Sequence, residues 1–394
     1  MTHYRWKTFA RCCALTLLSL IVPLRCEAQR STSSAADDVP KPAISAILKL
    51  FTTYEVVALP AAHGEKDEDD FILSLIRSPR FPDKVNDIVV ECGNRRYQSI
   101  LDRYIAGENV SFTEVQHVWR DTTQAMCGES GFYEELYPLV RSLNQRLPAG
   151  SRLRIIAADP PIDWTKVKSF EDTKPYLDRD GSIASAMEDE VLSRHRKALM
   201  LFGIFHLLHV SGSGQGDAVT RYERHFPGKT FVISGLGYYG LNNERLPISK
   251  AALEVGPLLL ETNNTGLGGL SLGDFLPTLP TMDRECNVVD LAHHQTRGLL
   301  DAFLYLGPQN SLLKETVPAD IVLDQAYRTE WLRRQQISGM PAPPTLAEAN
   351  GEIVESAKNP VLTLPHSPPV SEQMASRWRQ GCLDRARIQQ AKPN

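Results

Sequence analysis

Residues 87–91 have the sequence Asp-Ile-Val-Val-Glu, an apolar run closed by a carboxylate. Similar apolar runs recur along the chain at residues 55–59, 153–159, 198–203, 230–234 and 302–306. Amphipathic helical patterns separate these runs, one through Phe71, Leu75 and Ile76 and others around 96–106, 111–125, 131–147 and 183–196. Continuous apolar strands alternating with helices are typical of a parallel sheet covered on both faces. The sequence therefore predicts an α/β fold with one core: a mostly parallel central sheet flanked by helices on both faces.

The N-terminal segment has the pattern of a secretory signal peptide. Arg5, Lys7 and Arg11 precede a short apolar run over residues 12–24, and a cleavage site of the A-x-A type follows it at Cys26-Glu27-Ala28. The run is too short to cross a bilayer as a helix, so a cleaved signal explains it better than an anchor. We expect a signal peptide over residues 1–28, and a periplasmic or secreted location.

The composition of the rest of the chain predicts its division into segments and gives no indication of nucleic-acid binding. The hydrophobic fraction is 42% and the formal net charge is −4, so no basic field indicates nucleic-acid binding. We expect no membrane span after signal cleavage. A Ser- and Asp-rich flexible leader is predicted over 29–41 and the α/β domain over 42–338, with a proline-rich linker over 339–370 and a helical tail over 371–394.

Four cysteines remain after signal cleavage: Cys92, Cys127, Cys286 and Cys382. An even cysteine count in an exported protein favours disulfides, and four cysteines allow three pairings. The sequence does not choose among the three. None of the four lies in a Cys-x-x-Cys pair, which disfavours a zinc–thiolate site.

Polar side chains follow three of the predicted strands. His63-Gly64 comes just after the first strand, Glu91 closes the second, and His206 follows Gly203 after a later strand. The carboxyl ends of parallel strands meet at one edge of the sheet, where functional residues gather. Two histidines and a carboxylate there would activate water or bind a metal. Each histidine alone is equally well explained as a hydrogen-bonded structural residue.

Other segments carry weaker indications. Asp159 ends the third strand and is expected to line the same cleft, although Asp-Pro is also common in turns. Arg179-Asp180 is explained either by helix capping or by a role in the cleft. Gly235–Gly240 fits the dinucleotide pattern GxGxxG but lacks the following helix. The apolar stretch 256–285 has no firm periodicity, and predicts either a pocket wall or a surface excursion.

These residues resemble a known group of proteins. The block from Phe51 to Thr123, with His63-Gly64, the 88–91 strand, Tyr97-Gln98 and 102–104, is similar to the erythromycin esterase-like and ChaN-like (haem-uptake, TIKI-related) superfamily. The likeness continues through residues 159–164, Gly203-x-x-His206 and 305–308. It implies an α/β fold in which the histidine after the first strand, here His63, acts as general base toward water attacking an ester. Glu91 and His206 then match the assisting carboxylate and the second histidine.

The chain departs from the family pattern at one position, and this departure leads to two functional hypotheses. The family has Gly-Glu shortly before the histidine, whereas this chain has Leu59, Pro60 and Ala61, and Glu68 occupies a later acidic position. The first hypothesis is an esterase-like hydrolase with catalytic His63, Glu91 and His206. The alternative is a non-catalytic protein binding haem or a divalent metal through His63 and His206. Both predict a small-molecule ligand with no obligatory cofactor, and the candidate binding residues are Asp159, Arg179, Gln98 and Glu68.

Overall fold

The computed structural model describes residues 41–61, 63–209, 217–236, 253–254, 256–274, 280–282, 286–290 and 293–362, with isolated residues from 372 to 387. Ten strands lie in the described part: β1 Lys41–Pro42, β2 Val56–Pro60, β3 Asp87–Asn94, β4 Arg154–Asp159, β5 Ala198–Phe202, β6 Thr230–Gly235, β7 Leu258–Glu261, β8 Pro280–Met282, β9 Val288–Asp290 and β10 Ala302–Tyr305. Eight of them form one sheet in the order β1-β7-β10-β6-β2-β5-β3-β4, and β8 pairs with β9 separately.

The sheet is mostly parallel. Strands β10, β6, β2, β5, β3 and β4 run parallel, β7 lies antiparallel to β10, and β1 lies antiparallel to β7. In the centre, Val57 of β2 is in register with Leu199 of β5. Because the six parallel strands point the same way, their carboxyl ends share one edge of the sheet. This edge is the place at which the structure can assemble side chains from distant parts of the sequence.

Helices cover both faces of the sheet. The helices are α1 Ala43–Leu50, α2 Lys66–Arg77, α3 Gln98–Ala106, α4 Phe112–Arg120, α5 Phe132–Asn144, α6 Arg179–Glu190, α7 Ala218–Tyr222, α8 Ala319–Leu323, α9 Gln325–Ser338 and α10 Leu346–Lys358. Along β2, Val57 and Leu59 pack on the face of α1–α5, and Val56 and Ala58 pack on the face of α6 and α7. Burial on both faces explains why these strands are apolar at every position. The predicted fold class is confirmed.

The segment 256–285 contains more order than its sequence indicates. Within it, Leu258–Glu261 is a sheet strand whose leucines are buried against β10, an element that the sequence did not predict. The strand is short and follows Gly256-Pro257, a pair typical of turns, so the pattern of apolar residues did not identify it as a strand. Strand β1 and helix α1, at the start of the described chain, are also absent from the sequence-based prediction.

The proline-rich segment is not simply an extended linker, and that prediction is wrong for residues 346–358. They form α10, which a capping box between Thr345 and Glu348 begins. After this helix, the Leu362 N–H donates a hydrogen bond to the Leu312 carbonyl. This segment therefore packs back onto the domain.

Two disulfides select one of the three pairings that the sequence allows. Cys92 is bonded to Cys127 and Cys286 to Cys382. The second bond attaches the C-terminal tail, of which only isolated residues are described, to the domain. In the described residues, no helix is long and apolar enough to span a membrane. The predicted signal peptide, nearly all of the leader, and the glycine-rich stretch 237–240 lie outside the described residues.

Candidate active site

Glu91 is placed by an irregularity in β3. The register of β3 against β4 shifts between Val90 and Asn94. A side chain at Gly93 would meet the Ala157 backbone at 2.7 Å, so only glycine permits this close approach of the two strands. The Glu91 carboxylate is 5% exposed and its Oε2 accepts a hydrogen bond of 2.6 Å from the Gly203 N–H at the end of β5. The carboxylate is thereby fixed between two parallel strands. It lies inside β3, which continues to Asn94, and does not close the strand as the sequence predicted.

Arg179 connects this carboxylate to a second one. Its Nη2 donates to Glu91 Oε1 at 2.9 Å and its Nε donates to Asp159 Oδ1 at 2.9 Å. Asp159 is fully buried and also accepts hydrogen bonds from the Thr123 N–H at 2.6 Å and hydroxyl at 2.7 Å. Arg179 begins α6, and the Asp178 side chain caps that helix by accepting from the Gly181 N–H. Capping thus belongs to Asp178, whereas Arg179 lies in the cleft.

His206 completes the network. Its Nδ1 lies 2.7 Å from Asp180 Oδ1, and its Nε2 lies 3.4 Å from Glu91 Oε1 and 3.2 Å from Arg179 Nη1. The Ala218 N–H at the start of α7 also donates to Asp180 Oδ1 at 3.0 Å. The geometry therefore places His206 among two carboxylates and one guanidinium, with only 13% of its side chain exposed.

The charges in the network stabilise one another. Burial opposes ionisation of Glu91, but His206 and Arg179 hold the pKa of this carboxyl well below its usual value, and His63 contributes in the same direction. Burial would lower the pKa of His206, but the carboxylates of Asp180 and Glu91 outweigh it and raise this pKa to about 10. Although the nearby guanidinium opposes a second cation, Arg179 is itself paired with Glu91 and Asp159, and His206 faces both Asp180 and Glu91. His206 is therefore an imidazolium at neutral pH.

A cavity opens beside this network. It has a volume of about 340 Å³ and is lined by Thr123, Gln124, Tyr176, Leu177, Asp178, Arg179, Asp180 and His206. This size is at the lower end of the range of small-molecule sites. The two cations of the network thus border a space large enough for a small ligand.

His63 lies near Glu91 on the turn between β2 and α2. Gly64 has a φ of 94°, in the left-handed region that glycine adopts without strain, and this turn presents His63. The carbonyl of Gly64 accepts a hydrogen bond of 2.8 Å from the Glu315 N–H. The His63 side chain makes no hydrogen bond with the residues that the structure describes, in contrast to His206.

Three buried acidic residues lie behind His63, around the start of α2. Glu65, Glu68 and Asp69 are 2%, 1% and 8% exposed. Burial, with the nearby charges of Glu68 and Asp67, raises the pKa of Glu65 to about 9. Burial, with Glu315 and Glu68, raises the pKa of Asp69 to about 9. Glu65 and Asp69 are therefore neutral acids at pH 7.

The structure brings four of the predicted site residues into one network and places the others around it or away from it. Glu91, Asp159, Arg179 and His206 form one network, His63 lies near Glu91, and Glu68 belongs to the acidic cluster. Gln98 does not join the cleft: its amide donates to Asp102 and the Ile155 carbonyl, and accepts from the Ala157 N–H, which ties α3 to β4. This is a structural contact, apart from the network of Glu91, Arg179 and His206.

The sequence gives little sign of several contributors. Asp180 appears only as the neighbour of Arg179, and Thr123 belongs to a loop after α4 without any motif. The acidic run of α2 has the composition of an exposed first turn, and nothing in it predicts burial. In the described part of the chain, no group of three or more His, Cys, Asp or Glu side chains is arranged to hold a metal.

Comparisons with known proteins give a distant likeness of fold. No protein-family model and no curated protein matches the chain. A solved Bacillus cereus protein aligns at 11% identity and a TM-score of 0.43, covering 68% of this chain and 91% of its own. A succinoglycan biosynthesis protein aligns at 10% identity and a TM-score of 0.43, covering 67% of this chain and 90% of its own. The C-terminal region of Pasteurella multocida toxin, described with a thiol-protease-like catalytic triad, aligns at 17% identity and a TM-score of 0.34. The alignment covers 58% of this chain and 30% of the toxin chain. At these TM-scores no residue role is transferred from any of the three.

Proposed function

We propose that this chain is a hydrolase that cleaves an ester or related bond of a small molecule, with His63 as general base. The observation that carries the proposal is the network of Glu91, Arg179 and His206 beside a cavity at the carboxyl edge of the sheet. Preorganised charges at a cavity are the main means by which enzymes stabilise a developing oxyanion. The family resemblance of the strand-end motifs supports the same assignment.

The chemistry divides between the two histidines because their environments differ. His63, with no hydrogen bond to the described residues, takes a proton from water, whose oxygen then attacks the carbonyl carbon of the ester. Arg179 and the His206 imidazolium stabilise the negative charge that forms on the carbonyl oxygen. The bond to the leaving oxygen breaks, and His63 returns its proton to that oxygen. Glu91 acts as a positioning residue because it holds Arg179 and His206 in place.

The test is hydrolysis of a panel of small esters and lactones by the purified protein and by His63→Ala. His293→Ala is the matched control, because His293 is an exposed histidine outside the network. We expect activity that is lost in His63→Ala, retained in His293→Ala, and reduced in His206→Gln. Equal activity in all variants, or activity in none, would exclude His63 as the base for these substrates.

We also propose that the protein is exported. The disulfides Cys92–Cys127 and Cys286–Cys382 support this location, since such bonds persist in oxidising compartments. Mass spectrometry of the protein from the native cell should find an N-terminus at Gln29 and four oxidised cysteines. An intact Met1 with reduced thiols would contradict export.

A further inference from the structure

A second cavity lies along α1, away from the candidate active site. It has a volume of about 370 Å³ and is lined by Lys41, Pro42, Ser45, Ala46, Leu48, Lys49, Thr52, Arg80 and Lys84. One wall is a face of α1 with the residues that flank it, and the other is the turn between α2 and β3. The two cavities share no lining residue.

The lining is cationic and lacks carboxylates. Four of its nine residues are lysine or arginine, and none is acidic. Lys41 Nζ pairs with Glu261 Oε1 at 2.7 Å. Within the described chain, Lys49, Arg80 and Lys84 have no ion pair, whereas Arg179 and Arg196 each contact a carboxylate. Three cations without an ion pair in the described chain thus line one concave surface, an arrangement that raises the local concentration of anions.

The donors suit a phosphoryl group. Arg80 offers a planar guanidinium that can bind two phosphate oxygens, and Lys49 and Lys84 supply point charges. Ser45 and Thr52 donate their hydroxyl protons to the carbonyls of Pro42 and Lys49, so the cationic side chains must supply the contacts to the anion. The volume exceeds that of a single phosphate, and Ala46 and Leu48 give the floor an apolar part.

We propose that this cavity, defined by Lys49, Arg80 and Lys84, is a binding site for a multiply charged phosphoryl compound. Its position separates it from hydrolysis. Lys49 precedes β2 and Arg80 and Lys84 precede β3, whereas the candidate active-site residues follow the carboxyl ends of these strands. The site is therefore spatially separate from the proposed chemistry.

The first experiment is isothermal titration with sodium tripolyphosphate at low salt. The test variant is Lys49→Gln/Arg80→Gln/Lys84→Gln. The control is Arg146→Gln/Arg152→Gln/Lys168→Gln, which removes three exposed cations elsewhere without breaking an ion pair in the described chain. We expect saturable binding of one tripolyphosphate per chain that weakens about tenfold or more in the test variant and is unchanged in the control. Binding should also weaken with added salt, because the contacts are exposed.

A single charge reversal, Lys84→Glu, distinguishes loss of the site from a folding defect of the triple variant. It changes only one half-buried side chain, and tripolyphosphate binding should still weaken. Absence of saturable binding to the unaltered protein, or an equal loss in the two triple variants, would overturn the site.

A second experiment distinguishes a lipid headgroup from a soluble phosphorylated compound as the ligand of this cavity. The protein is sedimented with phosphatidylglycerol vesicles or with phosphatidylcholine vesicles, with and without tripolyphosphate. Binding to phosphatidylglycerol alone, displaced by tripolyphosphate and lost in the test variant, assigns the site to a lipid headgroup. Tripolyphosphate binding without vesicle binding assigns it to a soluble phosphorylated compound. Vesicle binding that the test variant retains would contradict the cavity as the contact point.

Discussion

The Nδ1 atom of His206 lies 2.7 Å from the Oδ1 atom of Asp180, which fixes the ring between α6 and the carboxyl edge of the sheet. The pairing joins residues that are 26 positions apart in sequence. It also decides the protonation of the ring, because Asp180 stabilises the imidazolium together with Glu91. His206 is thereby a fixed cation, and the proton-transfer role in the proposed reaction passes to His63.

Protonation of His206 can be observed directly. Its pKa is raised to about 10, so nitrogen chemical shifts of the ring at pH 7 should show both nitrogens protonated. The signal is assigned by its loss in His206→Gln. A neutral ring at pH 7 would mean that Arg179 Nη1 donates to Nε2 and that the guanidinium prevails over the carboxylates.

The same shift makes stability depend on pH. The folded-state pKa of His206 lies above the unfolded value of 6.5, so the folded state binds more protons between the two values. The contribution to stability is complete below about pH 6.5 and falls as the pH rises toward 10. Urea unfolding at pH 7, 8 and 9 should show a steeper decline for the unaltered protein than for His206→Gln. Parallel declines would contradict the linkage.

Arg179→Met should be strongly destabilising. It leaves the buried carboxylates of Glu91 and Asp159 without their cation, which costs about 3–5 kcal/mol for a buried pair. Arg103→Met is the control, since its partner Glu108 and Arg103 itself are both about half exposed, and an exposed pair contributes about 1 kcal/mol or less. Urea denaturation measures both losses. Similar small losses would show that the Arg179 network contributes little to stability.

Gly64→Ala should lower the rate of ester hydrolysis strongly, while its free energy of unfolding in urea falls only modestly. No atom lies within 4 Å of the added methyl group, so the cost is the left-handed backbone alone, about 1–2 kcal/mol. The turn can relieve this strain by shifting, which displaces His63. Gly150→Ala is the control, because its added methyl group also meets nothing within 4 Å and its φ is not positive. Full activity in Gly64→Ala would separate the turn from the reaction.

Removing the disulfides should cost stability according to the length of chain that each one closes. Cys92 and Cys127 are 35 residues apart and Cys286 and Cys382 are 96 apart. Chain-entropy arguments give about 4 kcal/mol for the first bond and slightly more for the second. The two double Cys→Ala variants, each keeping the other bond, are compared by urea denaturation. No loss in either would show that the bonds do not constrain the unfolded chain.

The sequence by itself determined the layers of the fold, because residues buried on both faces of a sheet must be apolar at every position. The runs at 87–91 and 198–203 are therefore visible without a structure, as is the placement of His63 and His206 after strands. Glu91 lies inside its strand, toward the carboxyl end. Only the tertiary structure decided which of them meet. Arg179 reaches Glu91 and Asp159 because β3 and β4 are neighbours in the sheet, and sequence patterns carry no record of strand order. The disulfide pairing, the burial of Glu65 and Asp69, and the convergence of Lys49 with Arg80 and Lys84 depend on the same long-range packing. Local sequence specifies burial and turn geometry, whereas side chains distant in sequence are brought together only when the sheet assembles.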